Sequence, residues 1–166
     1  MEDLKYMEDL ESLRKIKIKE IKVELDKHNI KWNTFVEKEE FVTALAKALK
    51  KAASFSCSGA IKPGKVAELT QDQAELEIKH GGTPLILDVH ATWCGPCRMM
   101  APELQKAAEQ LGSTARVAKL DSDEFPELAE TLSVSSLPTI IVFKEGEETT
   151  RTRGAIMVEE IVNMVS

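Results

Sequence analysis

Leu85-Ile86-Leu87-Asp88-Val89-His90 is the stretch that most restricts the fold of this chain. Its apolar residues run consecutively instead of alternating with polar ones, the pattern of a strand buried on both faces. Such a strand needs a layer above and a layer below, and the flanking sequence offers helices. Residues 66–69 read as a short strand, and Thr70 as the cap of a helix over 71–79 that Gly81-Gly82 ends. Residues 115–120 read as another strand, 99–111 as a helix with Pro102 inside it, and 125–132 as a short helix. Residues 139–143 and 149–152 read as strands around a turn at 144–147, and 158–165 as a closing helix. The order βαβαβαββα predicts an α/β fold, a mixed central sheet with helices on both faces.

The first third of the chain is different. Leu10, Leu13, Ile16 or Ile18, Ile21 and Leu25 recur at three- and four-residue spacings, predicting one amphipathic helix that ends near His28-Asn29. A second helix is announced by Thr34 with Glu37 three residues on, a capping-box pattern, and by a stripe of Phe41, Val42, Leu45 and Leu49. Between Ser54 and Gly64, small residues and a Pro-Gly pair break all periodicity. The boundaries expected are therefore a helical domain at 1–53, a linker at 54–63 and the α/β domain at 64–166. Charge divides the same way, +1 over residues 1–53 and -8 over 64–166. About 50 residues bury little surface alone, so the helical unit is marginal, docks on something, or self-associates.

With 28 Asp+Glu against 22 Lys+Arg, the net charge of -6 argues against a polyanion binder. The longest apolar stretches, 85–89 and 137–143, are broken by Asp88 and Pro138 and fall far short of the roughly 20 residues that span a bilayer. Met1-Glu2-Asp3-Leu4 lacks the basic and apolar regions of a secretory signal, which points to a cytoplasmic chain unless a leader has been removed. Three cysteines are too few for a disulfide-stapled scaffold, and two of them form a single Cys-x-x-Cys.

That pair, Cys94-Gly95-Pro96-Cys97, follows the buried strand where a helix begins. Unpaired N–H groups and the helix dipole stabilise a thiolate there, so Cys94 is the expected nucleophile toward a disulfide and Cys97, one turn on, the resolving thiol. Gly95 leaves room for a substrate backbone, and Pro96 fits the first turn, where its missing N–H costs nothing. A zinc site from Cys94, Cys97 and His90 lacks a fourth ligand, and no metal is expected. Asp88 within an apolar strand would be costly to bury as an anion, so its pKa should rise.

Trp93-Cys94-Gly95-Pro96-Cys97 resembles the active-site sequence of the thioredoxins, and further motifs follow in register. Leu85-Ile86-Leu87-Asp88 resembles their central strand with its buried acid, Pro102 the proline of the active-site helix, and Val117-Ala118-Lys119-Leu120-Asp121 the next strand. Ser136-Leu137-Pro138-Thr139 resembles their cis-proline loop, Phe143-Lys144-Glu145-Gly146 their hairpin, and Gly154 the glycine lining their substrate groove. The resemblance covers about residues 64–166 and implies a thioredoxin fold preceded by a small helical domain. It also implies a protein-disulfide reductase with a redox-active Cys94–Cys97 centre and no bound cofactor, re-reduced by an external thioredoxin reductase. Its partners would be that reductase and disulfide-containing client proteins. Asp88 would accept the Cys97 proton when the mixed disulfide is resolved, Trp93 would shield the thiols, the backbone of Leu137 before Pro138 would pair with an extended client, and Lys119 would offset the charge of Asp88 or lie as a plain surface lysine. His90 departs from the aromatic residue usual at its position; it either titrates beside the site or is a structural histidine. Cys57, in the seam, is an exposed thiol, inert or open to glutathionylation, mixed-disulfide formation or dimerisation.

Residues 13–25, Asn29-Ile30 and 37–45 resemble a SAP-like helix-loop-helix. The segment is nearly neutral, so no nucleic-acid binding is expected of it, and a docking or targeting role fits better. The contrasting expectation is an adapter in which client binding outweighs redox turnover. A monomer is expected, with dimerisation through the helices or Cys57 as the other state.

Overall fold

The computed structural model describes residues 10–166, so Met1-Glu2-Asp3-Leu4 lies outside the described residues. The chain divides into two compact units between Ala52 and Ala53.

In the first unit residues 10–14 are helical, α1 spans Ile18–Lys27 and α2 spans Lys38–Phe55, passing the division. The single helix expected from Leu10 to Leu25 is interrupted at 15–17, where Lys17 is extended (φ -69, ψ 141). Lys15 to Lys19 alternates Lys and Ile, and a continuous helix would send Ile16 and Ile18 to opposite sides. The break instead lets Leu10, Leu13, Ile21 and Leu25 share one core with Phe41, Val42 and Leu45. α1 ends in the left-handed Asn29 (φ 56), and the Ile30 N–H reaches the Leu25 carbonyl at 3.0 Å. Thr34 does not cap α2. The Glu40 carboxylate does, accepting from the N–H groups of Val36 (2.6 Å) and Glu37 (2.8 Å). An anion that satisfies two orphan donors at the positive end of a helix outcompetes a single hydroxyl. Leu49 is 41% exposed, so the buried stripe stops short of it.

The second unit holds a five-stranded sheet in the order β1-β3-β2-β4-β5. Its elements are β1 (Val66–Glu68), α3 (Gln71–Lys79), β2 (Leu85–His90), α4 (Gly95–Leu111), β3 (Arg116–Asp121), α5 (Pro126–Thr131), β4 (Thr139–Lys144), β5 (Glu147–Arg153) and α6 (Val158–Asn163). β1, β3 and β2 run parallel, while β4 and β5 are antiparallel to their neighbours. Thr70 and Gln73 make a reciprocal capping box at α3, and α4 continues past Pro102 to Leu111.

β2 sorts its residues by parity, as a strand must. Leu85, Leu87 and Val89 pack with Ala74 of α3 and Leu128 of α5, whereas Ile86 packs with Met100 and Leu104 of α4 and Ile161 of α6. The even face is the one that carries Asp88.

Residues 54–63, expected as a linker, are part of this second core. Phe55 and Ile61 are buried in the cluster of Leu85 and Leu87, and Ser56 is buried too. What holds the segment is an ion pair with no surface exposure: Arg116 Nη1 lies 2.7 Å from Glu77 Oε2. Arg116 also donates to the carbonyls of Glu77, His80 and Thr83, and the other Glu77 oxygen accepts from Ser56 Oγ (2.5 Å), Ser58 Oγ (2.5 Å) and the Ser58 N–H (3.0 Å). Burial would raise the Glu77 carboxyl, but the two serines and Arg116 outweigh it and hold the group below its usual range. Ser56 and Ser58, which look like linker residues by composition, are therefore ligands of a buried acid. Arg116→Ala strands that acid and should cost about 3–5 kcal/mol in urea unfolding; Ser58→Ala should cost about 1–2 kcal/mol.

Candidate active site

β2 delivers the chain through a short turn to α4, and Cys94 is the N-cap of that helix (φ -80, ψ 113). Its sulfur accepts the N–H of Cys97 at 3.2 Å, so an orphan donor of the first turn already points at the atom where a thiolate would form. Pro96 sits in the first turn and Gly95 opens it, with free space where a Cβ would stand. Cys94 and Cys97 are joined by a disulfide and are 4% and 5% exposed.

The opposite wall comes from the loop before β4. Leu137 packs on Ala91, Cys94 and Cys97, and the Leu137–Pro138 peptide is cis. The Pro138 carbonyl accepts the Gly154 N–H at 2.8 Å. Gly154 has φ +90, where a side chain is strained, so the residue that ties β5 to this loop has to be a glycine. Between the walls is a groove of about 470 Å³ lined by Trp93, Cys94, Pro96, Asp123, Ser136 and Leu137. Trp93 is 65% exposed, yet its Nε1 donates to Asp123 Oδ2 at 2.5 Å. Sequence reasoning missed Asp123. Its signal was the Asp121-Ser122-Asp123 turn after β3, where Asp121 Oδ1 accepts the Asp123 N–H at 2.9 Å and shapes the corner.

Behind the disulfide lies a second pocket of about 430 Å³, lined by Asp88, His90, Cys97, Arg98 and Lys119 among others. Asp88 is 3% exposed and its Oδ1 has no hydrogen-bond partner among the described residues. Burial pushes its pKa up to about 6, against the opposing pull of His90 and Lys119. Lys119 approaches Glu68 Oε2 at 3.4 Å, and His90 Nε2 lies 3.0 Å from Glu68 Oε1. Glu68 is a second residue the sequence did not flag. Asp88 and Cys97 thus line one cavity.

The family model for thioredoxin matches residues 65–166. The chain belongs to the thioredoxin family. It is 31% identical over 121 residues to the chloroplastic thioredoxin Y of Oryza sativa subsp. japonica, covering 73% of this chain and 72% of that protein. It is 40% identical over 88 residues to a thioredoxin of Mycobacterium tuberculosis, covering 53% of this chain and 76% of that one. Among solved structures, chloroplastic thioredoxin z superposes with a TM-score of 0.57 at 38% identity, covering 61% of this chain and 91% of that chain. The second unit has the thioredoxin fold, and the protein is a thiol-disulfide oxidoreductase of the protein-disulfide reductase type.

Not every expected residue joins this thioredoxin site. Cys57 is exposed, but it donates to the Leu76 carbonyl of α3 at 3.3 Å and lines neither pocket. Burial and the neighbouring Glu77 carboxylate push its thiol pKa up, which disfavours the reactive thiolate. Among the described residues no three His, Cys, Asp or Glu side chains gather as a metal site, and no helix is long and apolar enough to cross a membrane.

Asp88 ionises near 3.8 when unfolded and near 6 in the fold, so the folded state binds more protons between those values. Stability should therefore fall as pH rises through that window. Asp88→Asn should remove the fall and stabilise the oxidised protein at pH 8 by about 3 kcal/mol, read from urea melts at pH 4 and pH 8.

Proposed function

We propose that the protein reduces disulfides in client proteins by a Cys94–Cys97 dithiol cycle, with the groove at Trp93, Leu137 and Pro138 receiving the client chain. The observation that carries this reading is the shared cavity of Cys97 and the buried Asp88, behind a cysteine that caps a helix. Cys94 thiolate attacks a client sulfur, forming a Cys94–client disulfide and expelling the client's other sulfur as thiolate. Cys97 gives its proton to the Asp88 carboxylate and attacks Cys94. The Cys94–Cys97 bond forms, the Cys94–client bond breaks, and the client has gained two electrons. A carboxylate buried with one oxygen unpartnered among the described residues costs stability, and such perturbed groups gather at functional sites; a binding-only adapter has no use for one.

The resting disulfide is re-reduced by an external thioredoxin reductase, and the chain needs no bound cofactor of its own. The N-terminal helical unit serves docking or targeting. Chloroplastic relatives in Oryza sativa and Arabidopsis thaliana support an organelle as the site of action, in place of the cytoplasmic location read from the N-terminus.

Insulin-disulfide reduction tests this reading. The full chain should be active, Cys94→Ser inactive, and Cys97→Ser should accumulate a covalent client adduct that a thiol reductant releases. Inactivity of the full chain overturns the reading. The docking role is tested with a chain beginning at Ala53, which keeps Phe55, Ser56 and Ile61; equal rates for it and the full chain leave the helical unit outside the chemistry. The Cys94–Cys97 potential should lie near the family's general value of about -270 mV, by equilibration against a glutathione or dithiothreitol series.

A further inference from the structure

The strand register places Glu68, Lys119 and Asp88 in one row across β1, β3 and β2. His90, two residues beyond Asp88 on the same strand, shares their face of the sheet. Glu68 connects this row to His90, with one carboxylate oxygen 3.0 Å from His90 Nε2 and the other 3.4 Å from Lys119 Nζ. A carboxylate oxygen only accepts, so in the neutral ring the proton sits on Nε2 and the lone pair on Nδ1. Nδ1 makes no hydrogen bond among the described residues, and neither does Asp88 Oδ1. Both residues line the cavity of about 430 Å³ that also holds Cys97. At about 30 Å³ per molecule, it has room for bridging water.

The resolving step creates a need that these groups meet. Each turnover leaves the Cys97 proton on Asp88, a side chain too buried to exchange it freely with bulk solvent. His90 is 12% exposed at its side chain, and Glu68 beside it is 50% exposed. We propose that Glu68 and His90 form a proton relay for Asp88, in which Glu68 holds the imidazole in one tautomer and His90 Nδ1 takes the proton through cavity water and releases it to solvent. This rests on the reading that Asp88 accepts the Cys97 proton. No electrons move in the relay: the Asp88 carboxyl becomes carboxylate, the imidazole becomes imidazolium beside Glu68, and the imidazolium then loses its proton to water or buffer. Glu68 is a positioning residue here. Lys119 and Arg98 face the same cavity, but an ammonium or guanidinium is a donor without a lone pair. Asp121 is paired with His90 in the register, but its Oδ1 already accepts from the Asp123 and Glu124 N–H groups.

The test follows the proton separately from the sulfur. Reduced full-length protein is mixed by stopped flow with an aromatic disulfide whose leaving thiolate stays ionised, in weak buffer with an indicator dye, across pH 6 to about 8.5. In the parent, the second thiolate, expelled as Cys97 resolves the mixed disulfide, and the solvent proton should appear together. In His90→Ala and in Glu68→Gln the proton should lag this second thiolate by about tenfold, and added imidazole should restore the His90→Ala proton to within about twofold of the parent. His90→Phe, which fills the space, should lag without imidazole rescue. Glu68→Gln changes a half-exposed side chain and keeps its volume, so it reads the relay even if the His90 variants fold poorly. Protons that keep pace with thiolate in every variant, or a His90→Ala lag that imidazole leaves unchanged, overturn the relay. A parent that releases no thiolate overturns the disulfide-reductase reading instead, so the two failures are distinguishable.

Discussion

Everything in the α/β unit is arranged around the burial of β2. It is bonded along both edges, to β3 and β4, and covered on both faces, by α3 and α5 on one side and α4 and α6 on the other. A strand so enclosed has to be apolar, and five of its six residues are buried. Asp88 violates that rule at the one place where the violation is useful. Because it lies on the even face, with the helix that carries Cys97, the desolvation that makes it costly also makes it more basic, the property the proposed cycle uses. The enclosure that stabilises the sheet and the chemistry of the site are the same physical fact.

The two cysteines divide their environments accordingly. Cys94 faces the groove and receives its electrostatic help from the start of α4, through a backbone donor that is in place before any reaction begins. Cys97 lines the cavity that holds the Asp88 carboxylate, which in the proposed cycle takes its proton. In the proposed cycle neither could exchange roles, since a nucleophile needs a stabilised anion, whereas a resolving thiol needs to stay protonated until the mixed disulfide has formed. The helix start imposes this asymmetry, because Cys94 caps the helix at its outer end while Cys97 sits one turn further in.

Features set by neighbours in the chain were legible, and features set by distant partners were not. The Leu85–His90 strand, the α3 helix with its Thr70 cap, and the Cys-x-x-Cys at a helix start are all written in residues a few positions apart. The break at Lys17 was hidden because Ile16 and Ile18 both fit the apolar spacing, and only packing decides that neither continues the helix stripe. The segment 54–63 has linker composition, and its serines look like solubilising residues until Glu77, 21 positions beyond Ser56, is seen to bind them. Glu68 and Asp123 were invisible for the same reason: their partners, His90 and Trp93, lie 22 and 30 residues away. Resemblance supplied the remainder of the site, including Pro138 and Gly154, whose joint work is a single backbone hydrogen bond no periodicity encodes.

The family match begins at residue 65, whereas the compact unit begins at 53. The Glu77–Arg116 network accounts for that difference, because it ties Ser56 and Ser58 to the second unit. A buried acid without Ser56 and Ser58 would lose three donors, and the buried Ser56 hydroxyl without the acid would lose its acceptor, so a change on either side is penalised while the other remains. Such mutual dependence works as a ratchet. A single substitution on either side therefore strands a buried polar partner instead of releasing residues 54–63 from the core.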